Sequence, residues 1–131
     1  MIIGGIAAVL HGVPRATFDL DILIEASREN AEALLDALRE AGLGTANLID
    51  SEELLDNEIT VFKDRMRIDV LTAAPGIRFA EAWARREVMQ YRKQELNVAS
   101  RHDVIASKKA AGRAKDLEDA RILSLGDDRP T

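Results

Sequence analysis

The stretch GGIAAVLHGVPRATFDLDILIE, residues 4–25, decides how this chain is read. Its second half alternates. Phe18, Leu20 and Ile22 fall on one face, and Arg15, Thr17, Asp19 and Asp21 fall on the other. That is the period of a strand with one buried and one charged face. Asp19 and Asp21, two positions apart, project from the same face about 7 Å apart. Like charges held so close on a rigid strand repel and raise each other's pKa. A divalent cation with oxygen ligands relieves that repulsion, and Mg²⁺ keeps its remaining positions for water and phosphate oxygens. Upstream, Met1-Ile2-Ile3 reads as the end of a strand entering the Gly4-Gly5 turn. Glycines there let backbone N–H groups approach a phosphate, and a following helix N-terminus adds partial positive charge. Ile6 to Leu10 reads as that helix, closed by Gly12 and Pro14. The 13 residues from 6 to 18 suffice for a short helix and the return to the aspartates.

A third carboxylate has a similar setting. Arg67-Ile68-Asp69-Val70-Leu71 reads as a strand with Ile68 and Val70 inward and Asp69 outward. If the two strands are neighbours, Asp19, Asp21 and Asp69 form the ligand set of a two-metal phosphoryl or nucleotidyl transfer site. The first two would bridge the metals. The third would ligate the catalytic one and help to activate the attacking hydroxyl.

Around this nucleus the pattern gives further elements. Ser27 reads as the N-cap of a helix from Arg28 to Ala41, with Ala31, Leu34, Leu35 and Leu38 inward and Gly42 as its stop. A short helix spans about Ser51 to Leu55. Ile59 to Phe62 and Met66 to Leu71 read as strands joined by Lys63-Asp64-Arg65. Ala80 to Arg86 reads as helix, and Leu96-Asn97-Val98 as a short edge strand. Ser100-x-x-Asp103 resembles a capping box opening a helix that ends at Gly112, and Lys115 to Leu125 is a last helix. The expectation is one α+β (or α/β) domain over 1–125, a small mixed sheet flanked by helices, with a frayed tail at 126–131.

Composition narrows the chemistry. The 131 residues carry 18 Lys and Arg against 23 Asp and Glu, a formal charge of -5, which argues against a general nucleic-acid coat. There is no cysteine, which excludes disulfides, thiolate zinc sites and cysteine nucleophiles. With 2 histidines, a metal would be held by oxygen, so Mg²⁺, Mn²⁺ or Ca²⁺ are the candidates. No apolar run approaches the length of a membrane span. The opening residues lack the basic region and cleavage site of a signal peptide, so a cytoplasmic protein is expected.

With Ile3-Gly4-Gly5, Phe18-Asp19-Leu20-Asp21-Ile22 and Ile68-Asp69-Val70 in place, the chain resembles the nucleotidyltransferase superfamily of the DNA polymerase beta type. The stretch 4–25 is most similar to bacterial minimal nucleotidyltransferases and the abortive-infection, type IV toxin-like group. HDVIASKKAAGRAKDLEDARIL, residues 102–123, is also similar to that group. The resemblance covers roughly residues 2–125. It implies a nucleotidyltransferase fold, a nucleotide triphosphate cradled by Gly4 and Gly5, and Mg²⁺ (Mn²⁺ as a substitute) on Asp19, Asp21 and Asp69. It also implies Lys108 as a phosphate contact. The implied reaction moves NMP from an NTP, ATP among them, onto an acceptor hydroxyl of an RNA end, a protein or a small molecule. A toxin–antitoxin setting with a cognate partner protein follows from the subgroup. Relatives carry a helix and most of a strand before the glycine pair; three residues precede it here, which predicts a less complete site on that side.

Other residues have competing readings. Asp-x-Asp alone is more often a solvated strand face; its company reverses that. Arg15 and Thr17 share the aspartate face and could touch phosphate, although Arg15 could equally pair with Asp19 or Asp21. His11 reads as a structural hydrogen-bonding residue. Lys108 borders the apolar stripe of its helix. Arg113, Lys115, Asp116 and Asp119 read first as mutually paired helix-end charges. Arg85, Arg86, Arg92 and Lys93 read as solvated surface, with RNA contact as the sharper alternative. A non-catalytic binding module, an antitoxin partner for example, is the rival to the enzyme, with a metal-dependent hydrolase third. An exposed sheet edge leaves a homodimer open.

Overall fold

In the computed structural model, which describes residues 1–127, the described residues form six strands and six α-helices, with a 3₁₀ turn at Gly44–Leu48. The strands are β1 (Ile2–Ile3), β2 (Asp19–Leu23), β3 (Ile59–Lys63), β4 (Arg67–Leu71), β5 (Glu87–Tyr91) and β6 (Gln94–Val98). The helices are α1 (Gly4–Leu10), α2 (Arg28–Glu40), α3 (Ser51–Asp56), α4 (Phe79–Ala84), α5 (Arg101–Ala111) and α6 (Ala114–Asp127). The strands form one mixed sheet in the order β3-β4-β2-β1-β6-β5, so the architecture is α+β. β2 and β4 are parallel neighbours, while β1 runs antiparallel to β2 and parallel to β6.

The local chemistry explains the boundaries. Ser27 caps α2 by accepting from the Asn30 N–H, and Asp50 does the same for α3 at the Glu53 N–H. Ser100 accepts from the Asp103 N–H to start α5, which ends at Gly112 in the left-handed region with φ 73°. That glycine turns the chain directly into α6.

Each face of the sheet has its own apolar layer. On one, Ala31, Leu35 and Leu38 of α2 and Leu54 of α3 pack with Phe62, Ile68 and Val70. On the other, Ala7 and Ala8 of α1, Val104 and Ile105 of α5, and Ala120 and Leu123 of α6 pack with Ile3, Leu23, Leu71 and Val98. Strand alternation places Asp19 and Asp21 with Leu23, and Asp69 with Leu71, on this second face. Leu23 and Leu71 at the ends of β2 and β4 reach the core, and Asp21 and Asp69 at their middles reach the cleft described below.

Several expectations need correction. The strand expected over 15–25 is paired only from Asp19 to Leu23, so Phe18 lies before the ladder and is 86% exposed instead of buried. Leu96-Asn97-Val98 is the end of a five-residue strand, and β6 is interior; the edge belongs to β5. The β5–β6 hairpin turns through Arg92 and Lys93 at φ 48° and 66°, a primed turn without the usual Asn or Gly. Helix α1 starts at Gly4 rather than Ile6. At the other end α6 reaches Asp127, and the rest of the tail expected over 126–131 lies outside the described residues. Among the described residues no helix is long and apolar enough to cross a membrane.

Candidate active site

The strand register sets the geometry. Asp21 of β2 is the direct partner of Asp69 of β4, and on its other side Asp21 is paired with Ile3 of β1. Val61 of β3 is paired with Asp69. A row Val61–Asp69–Asp21–Ile3 therefore crosses four strands on one face, two carboxylates between two apolar residues. Asp19 is one pleat away, exposed and in register with Arg67.

A cleft of about 570 Å³ opens over this row. Gly4, Asp21, Arg67, Asp69, Lys108 and Arg113 line it. The chain enters α1 at the cleft wall, where Gly4 has φ 69°. A Cβ at position 4 would fall on Asp21 Oδ2, so only glycine allows this approach of backbone to carboxylate. Gly5 faces a different group: a Cβ there would stand 3.1 Å from Thr17 Oγ1 and 3.4 Å from an Arg15 guanidinium nitrogen. The structure thus brings Gly4, Asp21, Asp69 and Lys108 together, with Asp19 at the margin. Gly5, Arg15 and Thr17 form a second group beside it.

Electrostatics single out Asp21. Burial raises its pKa to about 6, the Asp69 and Asp19 charges push the same way, and Lys108 and Arg67 pull against them. A half-buried carboxylate flanked by two others is the arrangement a hard cation stabilises. The donors are all carboxylate oxygens, so the residues fit Mg²⁺ or Mn²⁺ by ligand type. Among the described residues, no three His, Asp or Glu side chains form a ready-made metal cage.

Asp69 is already engaged. Arg67 Nε donates to Asp69 Oδ1 at 2.9 Å, and an Arg67 terminal nitrogen donates to Oδ2 at 3.2 Å, a two-pronged clamp. The sequence reading gave Arg67 no role, although a spacing of two on a strand put it on the Asp69 face.

Lys108 is also occupied. Only 8% exposed, its Nζ lies 3.3 Å from Asp116 Oδ1 and 3.1 Å from Asp119 Oδ2. Arg113 pairs with Asp116 at 2.6 Å, and Arg15 pairs with Asp119 at 2.7 Å. Arg15 therefore meets neither Asp19 nor Asp21 within this network. Burial works to raise the Asp116 pKa, but hydrogen bonds from Arg113 and Lys108 outweigh it and hold the carboxyl below its usual range. Lys108, Arg113 and Arg15 thus converge on two buried aspartates, and of these side chains Lys108, Arg113 and Asp116 border the cleft, with Arg113 the exposed cation. Of the helix-end charges expected to pair with each other, Arg113 and Asp116 do, while Asp119 is instead taken by Lys108 and Arg15; the two aspartates are buried and Arg113 is exposed.

His11, Arg85 and Arg86 make contacts within the chain, and Arg92 and Lys93 form the exposed β5–β6 turn. His11 Nε2 is 2.8 Å from the Ala99 carbonyl oxygen. Arg85 clamps the buried Asp103, and Arg86 lies 3.9 Å over the Trp83 ring. No family model and no curated protein sequence matches the chain.

Proposed function

We propose that the chain is a metal-dependent nucleotidyltransferase that moves NMP from an NTP onto an acceptor hydroxyl and acts in the cytoplasm. The observation that supports this reading is the cross-strand pair Asp21–Asp69 beside the Gly4 turn. Two carboxylates in register, a glycine backbone against one of them and the exposed Arg113 guanidinium on the cleft lining suit a triphosphate and its counter-ion. Asp21 and Asp69, with Asp19 at the rim, would hold Mg²⁺ or Mn²⁺. The ion, when bound, would supply charge neutralisation at the phosphates and a lowered barrier to ionising the hydroxyl.

The chain's own residues do the rest. The Gly4 backbone and the exposed Arg113 guanidinium orient the triphosphate, while Lys108 stays bound to Asp116 and Asp119 behind it. The acceptor oxygen attacks the α-phosphorus as the bond to the β-phosphate oxygen breaks, and pyrophosphate leaves. The hydroxyl proton passes to an Asp69 oxygen. The acceptor is an RNA end, a protein side chain or a small molecule.

The test uses each α-labelled NTP with Mg²⁺ or Mn²⁺ and a mixed pool of RNA and cell protein. Label should move onto a macromolecule or small-molecule fraction with the wild type and not with Asp21→Ala. Wild-type turnover by Asp21→Ala would remove the site assignment.

A second reading, a non-catalytic partner in a toxin–antitoxin pair, draws on a different observation. Asp69 and Lys108 are both neutralised by groups of the chain itself. Stable capture of one cognate protein, with no label transfer under any NTP, would favour it.

A further inference from the structure

We propose that Arg67 is a resident counter-cation of the carboxylate row, competing with a divalent cation for the Asp69 oxygens and swinging away when that cation binds. The inference rests on the metal-site reading above and goes beyond it by assigning a role to a residue outside the ligand set. Both oxygens of Asp69 accept from the guanidinium. A hard cation needs the same oxygens at about 2.0–2.1 Å, and a second positive charge at that distance is repelled. The two occupants are therefore alternatives.

The position of Arg67 suits a competitor. It lies opposite Asp19 in register and two residues before Asp69 on the same strand, so its fork reaches the middle of the acidic row. Its side chain is 41% exposed, while that of Asp69 is 16% exposed. The guanidinium can thus leave into the open cleft without vacating a packed space. Lys108, tied between Asp116 and Asp119 and almost fully buried, has no such freedom. Released into the cleft, the planar fork of Arg67 matches a phosphate oxygen pair. Metal binding then prepares the site for the nucleotide, and the two ligands reinforce each other.

The experiment titrates Mn²⁺ into the full chain, reading free Mn²⁺ by electron paramagnetic resonance. The variants are Arg67→Gln, Arg67→Lys and Lys63→Gln. Lys63 is exposed and in register with Arg67, so its removal controls for general charge. Arg67→Gln should bind Mn²⁺ about tenfold more tightly, the scale of one charge-assisted hydrogen-bonded contact. Arg67→Lys should fall between it and wild type, and Lys63→Gln should stay within about twofold of wild type. In ¹⁵N-labelled protein the Arg67 side-chain N–H resonance should shift with the same midpoint as Mg²⁺ binding. A purely structural clamp predicts the reverse, weaker metal binding on its loss. Unchanged or weaker affinity in Arg67→Gln, with wild type binding normally, overturns the competition alone, as does an Arg67 resonance unmoved at saturating Mg²⁺. If neither wild type nor Arg67→Gln binds the ion, the competition and the metal-site reading fall together. Should Arg67→Gln fail to fold, Arg67→Lys carries the test.

Discussion

Gly4 and Asp21 show how a single position serves both fold and chemistry. The backbone at Gly4 turns through φ 69° and meets the Asp21 carboxylate, so the strand-to-helix turn and the acidic row are built against each other. Asp21 bears the cost. Its pKa of about 6 means that the folded chain holds this proton more tightly than the unfolded chain does. By linkage, stability falls as pH rises through the window from about 4 to 6 and this contribution is flat above it. Asp21→Asn removes the charge and keeps the shape. In denaturant titrations without divalent ions, it should be more stable than wild type at pH 7.5, and the advantage should fade to nothing near pH 4. Added Mg²⁺ should raise the melting temperature of wild type but not of Asp21→Asn. An advantage that persists unchanged at pH 4 would contradict the electrostatic account of Asp21.

At the scale of elements, α2 braces the sheet from the face opposite the acidic row. Ala31, Leu35 and Leu38 pack with Ile68 and Val70, the neighbours that alternate with Asp69. Leu35→Ala should cost about 2–5 kcal/mol in urea unfolding, the range for a fully buried leucine. Divalent-ion affinity measured below the unfolding transition should change little, because the acidic row points the other way. A loss of metal affinity in step with stability would show that the two faces are not independent. This layer was legible from the chain: helical spacing, the Ser27 cap and the Gly42 stop all agreed with α2. The β5–β6 hairpin was not, because Arg92 and Lys93 adopt positive φ without a turn-forming residue to announce it. Phe18 fitted the alternation of β2 but lies one residue beyond its pairing, and periodicity alone carries no information on where a ladder stops.

For the whole molecule, the site is where distant parts of the chain meet. β2, β4, the start of α1 and the α5–α6 corner converge on one cleft. Asp19, Asp21 and Asp69 were readable because strand alternation puts carboxylates on a face, whereas the adjacency of β2 and β4 was only a condition in the sequence and is supplied by the sheet order. The partners of Lys108 were beyond reach: Asp116 and Asp119 sit on another helix, and Arg15 reaches Asp119 across 104 positions of sequence. Arg67 was visible in the quoted strand, but its clamp on Asp69 depends on side-chain rotamers that no pattern encodes. The central claim is that Asp21 and Asp69 jointly hold a divalent ion and the phosphates of a nucleotide. The most direct test is a crystal grown with Mn²⁺ and a non-hydrolysable NTP, measured at the manganese absorption edge. The account predicts an anomalous peak between the Asp21 and Asp69 carboxylates, with the triphosphate lying between Gly4 and Arg113. A nucleotide bound elsewhere, or manganese bound without contact to Asp21, would contradict it.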